Sequence, residues 1–120
     1  IGKRMTKQKS GKIINLADWT AFRPFPNYLP YAISKAGLIA ATAGLAKALA
    51  PYVQVNSIAP GPILPSKGMS EQNREKVIQK TLLKRFGTPE DIAETVRFLI
   101  EGTDYITGAF IPVDGGSLIA

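Results

Sequence analysis

With 120 residues and 45% hydrophobic content, the chain has room for one core and no more. It has neither cysteine nor histidine, which excludes a disulfide framework, a thiolate zinc site and a His-based triad, so no metal chemistry is expected. The formal charge of +6 is concentrated at one end, where residues 1–12 hold Lys3, Arg4, Lys7, Lys9 and Lys12 without an acid.

A basic run of this kind could face nucleic acid or anionic lipid. No aromatic residue interleaves with it, so a solvated helix end is expected and no nucleic-acid partner. No continuous apolar run approaches the roughly 18 residues of a membrane span, and no signal-peptide core stands at the start. The expectation is therefore a cytoplasmic protein without a membrane partner. Lys12–Leu16 (KIINL) then reads as a short buried strand. Asp18 to Pro30 is a polar, aromatic and Pro-rich loop. Pro30 to Ala50 is rich in Ala and Leu, and the spacing of Leu38, Ala41, Leu45 and Leu49 predicts a long helix packed on that face.

Val53 to Ile58 is β-branched at three positions and runs into Ala59, Pro60 and Gly61, a strand that stops at a loop. The helix before it can serve as the crossover of a parallel pair. Ser70 to Thr81 reads as a polar amphipathic helix. Thr88, followed by Pro89, Glu90 and Asp91, is a helix start with a hydroxyl cap, and Ile92, Val96, Leu99 and Ile100 supply its apolar stripe. Phe110 to Val113 is a last strand, closed by Asp114, Gly115 and Gly116. This order describes an α/β fold, half of a doubly wound parallel sheet. Lys12–Leu16 has the composition of a central strand, which needs neighbours on both sides.

Tyr31 and Lys35 stand four apart at a predicted helix start and so share one face. A phenol ordinarily ionises near pH 10. A neighbouring ammonium favours the phenolate and should make Tyr31 a better acid and base.

The set KIINL, a polar loop, PYAISK at a helix start, NSIAPGP after a strand and a terminal ITGAFIPVDGG resembles the short-chain dehydrogenase/reductase family from Gly11 to Gly116. The resemblance implies the C-terminal half of a doubly wound parallel-sheet Rossmann fold, with residues 1–120 as half of one NAD(P)-binding domain, in an oxidoreductase using NAD(P)H, with NADP expected over NAD, acting on a small-molecule substrate. It implies that Tyr31 is the catalytic acid and that Lys35 binds the nicotinamide ribose and tunes Tyr31. It further implies that Pro60, Gly61 and the backbone of Ile63 hold the nicotinamide carboxamide. The Asp114–Gly116 segment is structural on this reading, and the long helix and the C-terminal strand meet copies of themselves in a homotetramer. The family's Gly-rich phosphate turn has no counterpart in these residues, so an N-terminal half of comparable size is expected and the 120 residues alone should be inactive.

At position 18, thirteen residues before Tyr31, most of the family carries a serine that donates to a substrate carbonyl. Here Asp18 stands instead. A carboxylate only accepts hydrogen bonds, so Asp18 suits a substrate bearing N–H groups or a proton relay through Tyr31. An Asp, Tyr and Lys set at these spacings resembles the pteridine reductase branch. Trp19 and its aromatic neighbours Phe22, Phe25 and Tyr28 could line a flat substrate, though packing is the expected role of most of them. Two alternatives stand beside the pterin reading. One is a 3-oxoacyl thioester or sugar reductase in which Thr20 or Asp18 replaces the serine, and the other a non-catalytic assembly subunit or fragment.

Overall fold

The computed structural model describes residues 1–120. Seven principal elements occur in order: α1 (Gly2–Gln8), β1 (Gly11–Leu16), α2 (Leu29–Leu49), β2 (Val53–Pro60), α3 (Glu71–Gln79), α4 (Pro89–Arg97) and β3 (Phe110–Val113). Two short 3-10 turns, Trp19–Ala21 and Pro26–Tyr28, punctuate the loop between β1 and α2. The three strands form one parallel sheet in the order β1-β2-β3. Gly11 pairs with Val53 and Leu16 with Ile58, so β1 and β2 run level along their length. The α/β fold read from the sequence is the one observed.

Burial is continuous along β2, where Val55, Asn56, Ser57, Ile58 and Ala59 are all buried. Consecutive burial means that both faces of the strand are covered, as expected of a parallel sheet's central strand. The polar groups on it are satisfied. Asn56 donates from Nδ2 to the Ile106 carbonyl at 2.8 Å and accepts from the Ala109 amide at 3.0 Å. Ala46 of α2 packs with Val53 and Val55, flanked by Met5, Ile13 and Leu49. β1 has one strand neighbour among these residues and its side chains are mostly half-buried, so one of the two sides that its composition asks to have covered is open here.

The face of α2 that meets the sheet differs from the predicted one. Ala32, Thr42 and Ala46 are buried, Leu38 and Leu49 are half-buried, and Ala41 and Leu45 are exposed. Apolar residues surround this helix on all sides, so spacing alone does not choose a face. The small residues take the sheet side, where close approach favours them. The helical stretch Pro26–Leu49 is also long and apolar enough by length and composition to cross a membrane, with a mean hydropathy of 1.3, contrary to the reading from continuous runs. Its packing on β2 and the Lys35 charge in its first half identify it as a layer of the α/β fold.

Two other expectations change. Lys12 is not a solvated cation like its neighbours in the basic run. Its ammonium donates to the carbonyls of Ile100 and Thr103 at 2.7 and 3.3 Å and pairs with Asp104 at 2.8 Å, closing the π-helical turn Phe98–Gly102 at the end of α4. That turn adds a residue to the helical repeat and rotates the positions beyond it. Leu99 is therefore buried, at 3% exposure, while Ile100 faces outward at 50%. The start of α4 is as predicted: Thr88 and Asp91 form a reciprocal capping box. Arg85 beside Asp91 holds that carboxyl down at about 2, aided by the Thr88 amide.

Leu99→Ala is expected to destabilise the full-length protein by about 2–5 kcal/mol. Ile100→Ala should change it by no more than about 0.5 kcal/mol. Urea unfolding of the two variants beside the parent checks the difference.

Candidate active site

β1 ends at Leu16, and the Ala17 amide continues the ladder by donating to the Ile58 carbonyl at 2.8 Å. The chain leaves the sheet at Asp18, whose extended backbone (φ −162°) makes it the cap of the turn Trp19–Ala21. Its carboxylate is held on both oxygens. Oδ1 accepts from the Thr20 amide at 2.8 Å and from the Thr20 hydroxyl at 2.6 Å, and Oδ2 accepts from the Tyr31 hydroxyl at 2.9 Å.

Tyr31 stands in the first turn of α2 and Lys35 one turn later. The Lys35 ammonium donates to the Leu16 carbonyl at 2.9 Å and lies 5.5 Å from the centroid of the Tyr31 ring. Asp18, Tyr31 and Lys35 thus converge at the C-terminal end of β1. Pro60 and Gly61 leave β2 at the same edge, since Leu16 and Ile58 are level. This is the edge at which open α/β sheets bind ligands.

The Tyr31 phenol is pushed up to about 12, first by its partial burial, then by its hydrogen bond to Asp18 and by that carboxylate's negative charge. The expected direction was the reverse. Burial is the first reason, and distance the second: the carboxylate oxygen touches the phenol oxygen, while the ammonium sits over the ring. A donated hydrogen bond to an anion stabilises the protonated phenol. Tyr31 is a proton donor at neutral pH and a poor base.

Gly61 has a packing reason of its own, beside the cofactor role that the resemblance implies. A Cβ there would lie 2.5 Å from the Asp114 Cα, so the glycine lets β2 and the turn after β3 pass each other. Its amide donates to the Val113 carbonyl at 3.0 Å. The Ile63 side chain packs toward Gly87, whereas its backbone amide and carbonyl make no backbone hydrogen bond. Asp114 is structural, accepting from the Gly116 and Leu118 amides at 2.9 and 2.7 Å.

Trp19 packs edge-on to Phe25 with centroids 5.8 Å apart, and Phe22 packs on Phe110 at 4.7 Å. Tyr28 is exposed. Trp19 lines a shallow cleft with Arg23, Phe25 and Lys80. A cleft of about 480 Å³ lies beyond the Pro60–Ile63 loop, lined by Ile63, Leu82, Arg85, Asp91 and Asp114, and includes none of the Asp18, Tyr31 and Lys35 set. The titratable cluster, not this hollow, is where the chemistry can occur.

Two residues acquire roles that their sequence positions did not reveal. The Thr20 hydroxyl is committed to Asp18 and is not free to polarise a carbonyl. The signal was present, since Asp-x-Thr is a side-chain-to-backbone capping pattern. Arg23 donates to the Ser117 carbonyl at 2.9 Å and ties the loop after β1 to the segment after β3. No local pattern announces a bond across so much sequence.

The model of a family described as enoyl-(acyl carrier protein) reductase matches residues 1–117. The 3-oxoacyl-(acyl-carrier-protein) reductase of Synechocystis is 42% identical over 99% of this chain and 49% of its own. Its counterpart FabG from Aquifex aeolicus is 42% identical over 95% of this chain and 48% of its own. Among solved structures, FolM alternative dihydrofolate reductase 1 from Brucella suis, in complex with NADP, matches with a TM-score of 0.84 and 37% identity, covering 94% of this chain and 45% of that one. The chain spans about half the length of the relatives it matches. With nearly its whole length matched by the family model and the Tyr31 and Lys35 pair at the strand edge, the chain belongs to this family of short-chain dehydrogenases/reductases.

Proposed function

We propose that the protein is an NAD(P)H-dependent oxidoreductase that reduces a nitrogen-rich ring of the dihydropterin or dihydrofolate type. The observation that carries this reading is the Asp18 carboxylate, hydrogen-bonded to the Tyr31 hydroxyl at 2.9 Å. A carboxylate offers about four acceptor positions. Thr20 takes two on Oδ1 and Tyr31 one on Oδ2. The position left open lies on Oδ2, beside the phenol. It can accept an amino or ring N–H and has nothing to donate to a carbonyl. The solved dihydrofolate reductase with NADP supports the same substrate class and the choice of NADP.

The residues present fit the nicotinamide end of such a cofactor. Lys35 uses one ammonium proton on the Leu16 carbonyl and keeps two for the ribose hydroxyls. The unpaired backbone amide and carbonyl of Ile63, just past Pro60 and Gly61, fit a carboxamide. The cofactor, when bound, supplies the hydride. Tyr31 gives its proton to the substrate nitrogen, and the Lys35 charge over its ring stabilises the phenolate left behind. Tyr31 is 45% exposed, so it can recover a proton from water. Asp18 fixes the ring by its N–H groups.

A second reading, reduction of a 3-oxoacyl thioester, is favoured by the two relatives that are 42% identical. Under it Tyr31 keeps its role and Asp18 must be protonated to donate. A cytoplasmic homotetramer completes the proposal. Its support is the outer face of α2, where Ile33 and Leu45 are exposed along an otherwise Ala- and Gly-rich surface that a two-fold copy could cover.

Three measurements on the full-length protein test these readings. Tyr31→Phe should lower kcat by at least about 100-fold while NADPH still binds, because the ring remains and the proton donor does not. Asp18→Ser should weaken dihydrobiopterin and dihydrofolate reduction by about tenfold or more, the worth of one charge-assisted bond. NADPH oxidation with each pterin and with a 3-oxoacyl thioester checks both, and a parent enzyme that reduces only the thioester would select the second reading. Sedimentation at micromolar concentration is expected to show a tetramer, and a monomer there contradicts the assembly.

A further inference from the structure

Asp18 is useful as an acceptor only if one oxygen stays beside Tyr31. The carboxylate could rotate about its own axis or swing with its side chain into solvent, since it sits in a polar loop beyond the sheet. Three bonds oppose this, and two come from Thr20. The amide bond is the ordinary cap of a short turn and would form with any residue at position 20 except proline. The hydroxyl bond, at 2.6 Å, is specific to the side chain. Threonine is β-branched, and its own restricted rotamers make it a stiff donor. With both bonds on Oδ1, that oxygen is saturated and Oδ2 alone meets Tyr31.

We propose that Thr20 is a positioning residue that aims the Asp18 carboxylate at Tyr31 and so sets the site's preference for substrates bearing N–H groups. It deepens the pterin reading and rests on it for the substrate class. The geometric part stands without it. The titratable groups facing Tyr31 are Asp18, from the loop after β1, and Lys35, on α2 itself. A carboxylate released by loss of the Thr20 hydroxyl leaves the phenol with a weaker acceptor and the ammonium as its remaining charged neighbour. The Tyr31 phenol, now held up to about 12, then falls part of the way towards the ordinary value, its partial burial still holding it up. For a phenol raised in the folded state, the stabilising contribution is full below about pH 10 and fades as pH rises towards that raised value.

The test uses the full-length protein in four forms: parent, Thr20→Val, Thr20→Ser and Asp18→Asn. Phenolate absorbance is read at pH about 10.5, just above the ordinary tyrosine value, with Tyr31→Phe subtracted in each background. The parent should keep Tyr31 protonated, Asp18→Asn and Thr20→Val should each show a larger ionised fraction than the parent, and Thr20→Ser should restore the parent's behaviour. With dihydrobiopterin, Thr20→Val should lose about tenfold in kcat/KM and Thr20→Ser should recover to within about twofold. Valine preserves the shape of threonine, so loss of folding is not the expected cause. A Thr20→Val protein whose Tyr31 stays protonated like the parent's overturns the proposal, as does an Asp18→Asn protein that leaves Tyr31 unmoved. A parent that fails to reduce the pterin removes the substrate reading alone, and the phenolate measurement still decides the role of Thr20.

Discussion

Everything at this site depends on the level parallel pairing of β1 with β2. A parallel pair requires a crossover, and the crossover helix must start at the edge where the first strand ends. That geometry brings the first turn of α2, with Tyr31 and Lys35, back to the carbonyl of Leu16 and the side chain of Asp18. It also brings the Pro60–Gly61 turn out at the same edge. The pairing is secured away from the chemistry, by burial along β2 and by a bridge from Asn15 of β1 to Thr42 of α2 at 2.9 Å. Thr42 is buried and passes its own proton to the Leu38 carbonyl at 2.8 Å, so the bridge leaves no polar atom unpaired. Strand, helix and site are therefore one packing problem. A shift of β1 along β2 would carry Asp18 away from Tyr31 and turn its neighbours to the wrong face.

Within that frame the electrostatics are set by proximity. Coulomb energy falls with distance and with the dielectric between the charges. The anionic oxygen of Asp18 is in hydrogen-bond contact with the phenol, and the Lys35 cation is 5.5 Å from the ring. The nearer group wins, and Tyr31 is held protonated. The ammonium is also engaged with a carbonyl, which spreads part of its charge to a third partner. A site built this way favours proton delivery over proton removal, which suits reduction more than oxidation. It also separates the work of the two charged residues: Asp18 governs when Tyr31 keeps its proton, and Lys35 steadies the phenolate once the proton has gone.

The sequence made the elements legible because each carried its own punctuation. Pro60–Gly61 ended a β-branched run, and Thr88, Pro89 and Asp91 opened a helix with a capping box that the structure reproduces. Spacing placed Tyr31 and Lys35 on one helix face, and the family resemblance singled out that pair and Asp18 thirteen residues before it. The buried face of α2 was not, because Ala, Leu and Ile surround that helix and the choice between Ala46 and Leu45 belongs to the sheet it meets. Ile100 was misplaced by a π-helical turn that no periodicity reports. The direction of the Tyr31 shift was missed because spacing on the helix shows only the i+4 neighbour, and neither the burial of the phenol nor its contact with Asp18 from another segment. Gly61 was read as an approach for a ligand, and its close neighbour proves to be the chain's own Asp114.

The choice between a pterin and a thioester comes down to a count of donors and acceptors. A serine at position 18 would bring a hydroxyl that donates to a carbonyl oxygen, with Tyr31 as a second donor to the same atom. Asp18 removes that donor, and it also occupies the Tyr31 proton until substrate displaces it. A thioester ketone entering this site would have to break the bond from Tyr31 to Asp18 and leave an oxygen of Asp18 short of a partner, a loss made larger by the negative charge. A ring with an N–H beside the nitrogen to be protonated breaks the same bond and replaces it, since its N–H can take the place on Oδ2 that Tyr31 vacates. The cost of freeing the catalytic proton is then offset by the substrate that uses it. On the proposed pterin reading, discrimination arises at the moment of proton transfer, and it requires no pocket shaped to the whole ring.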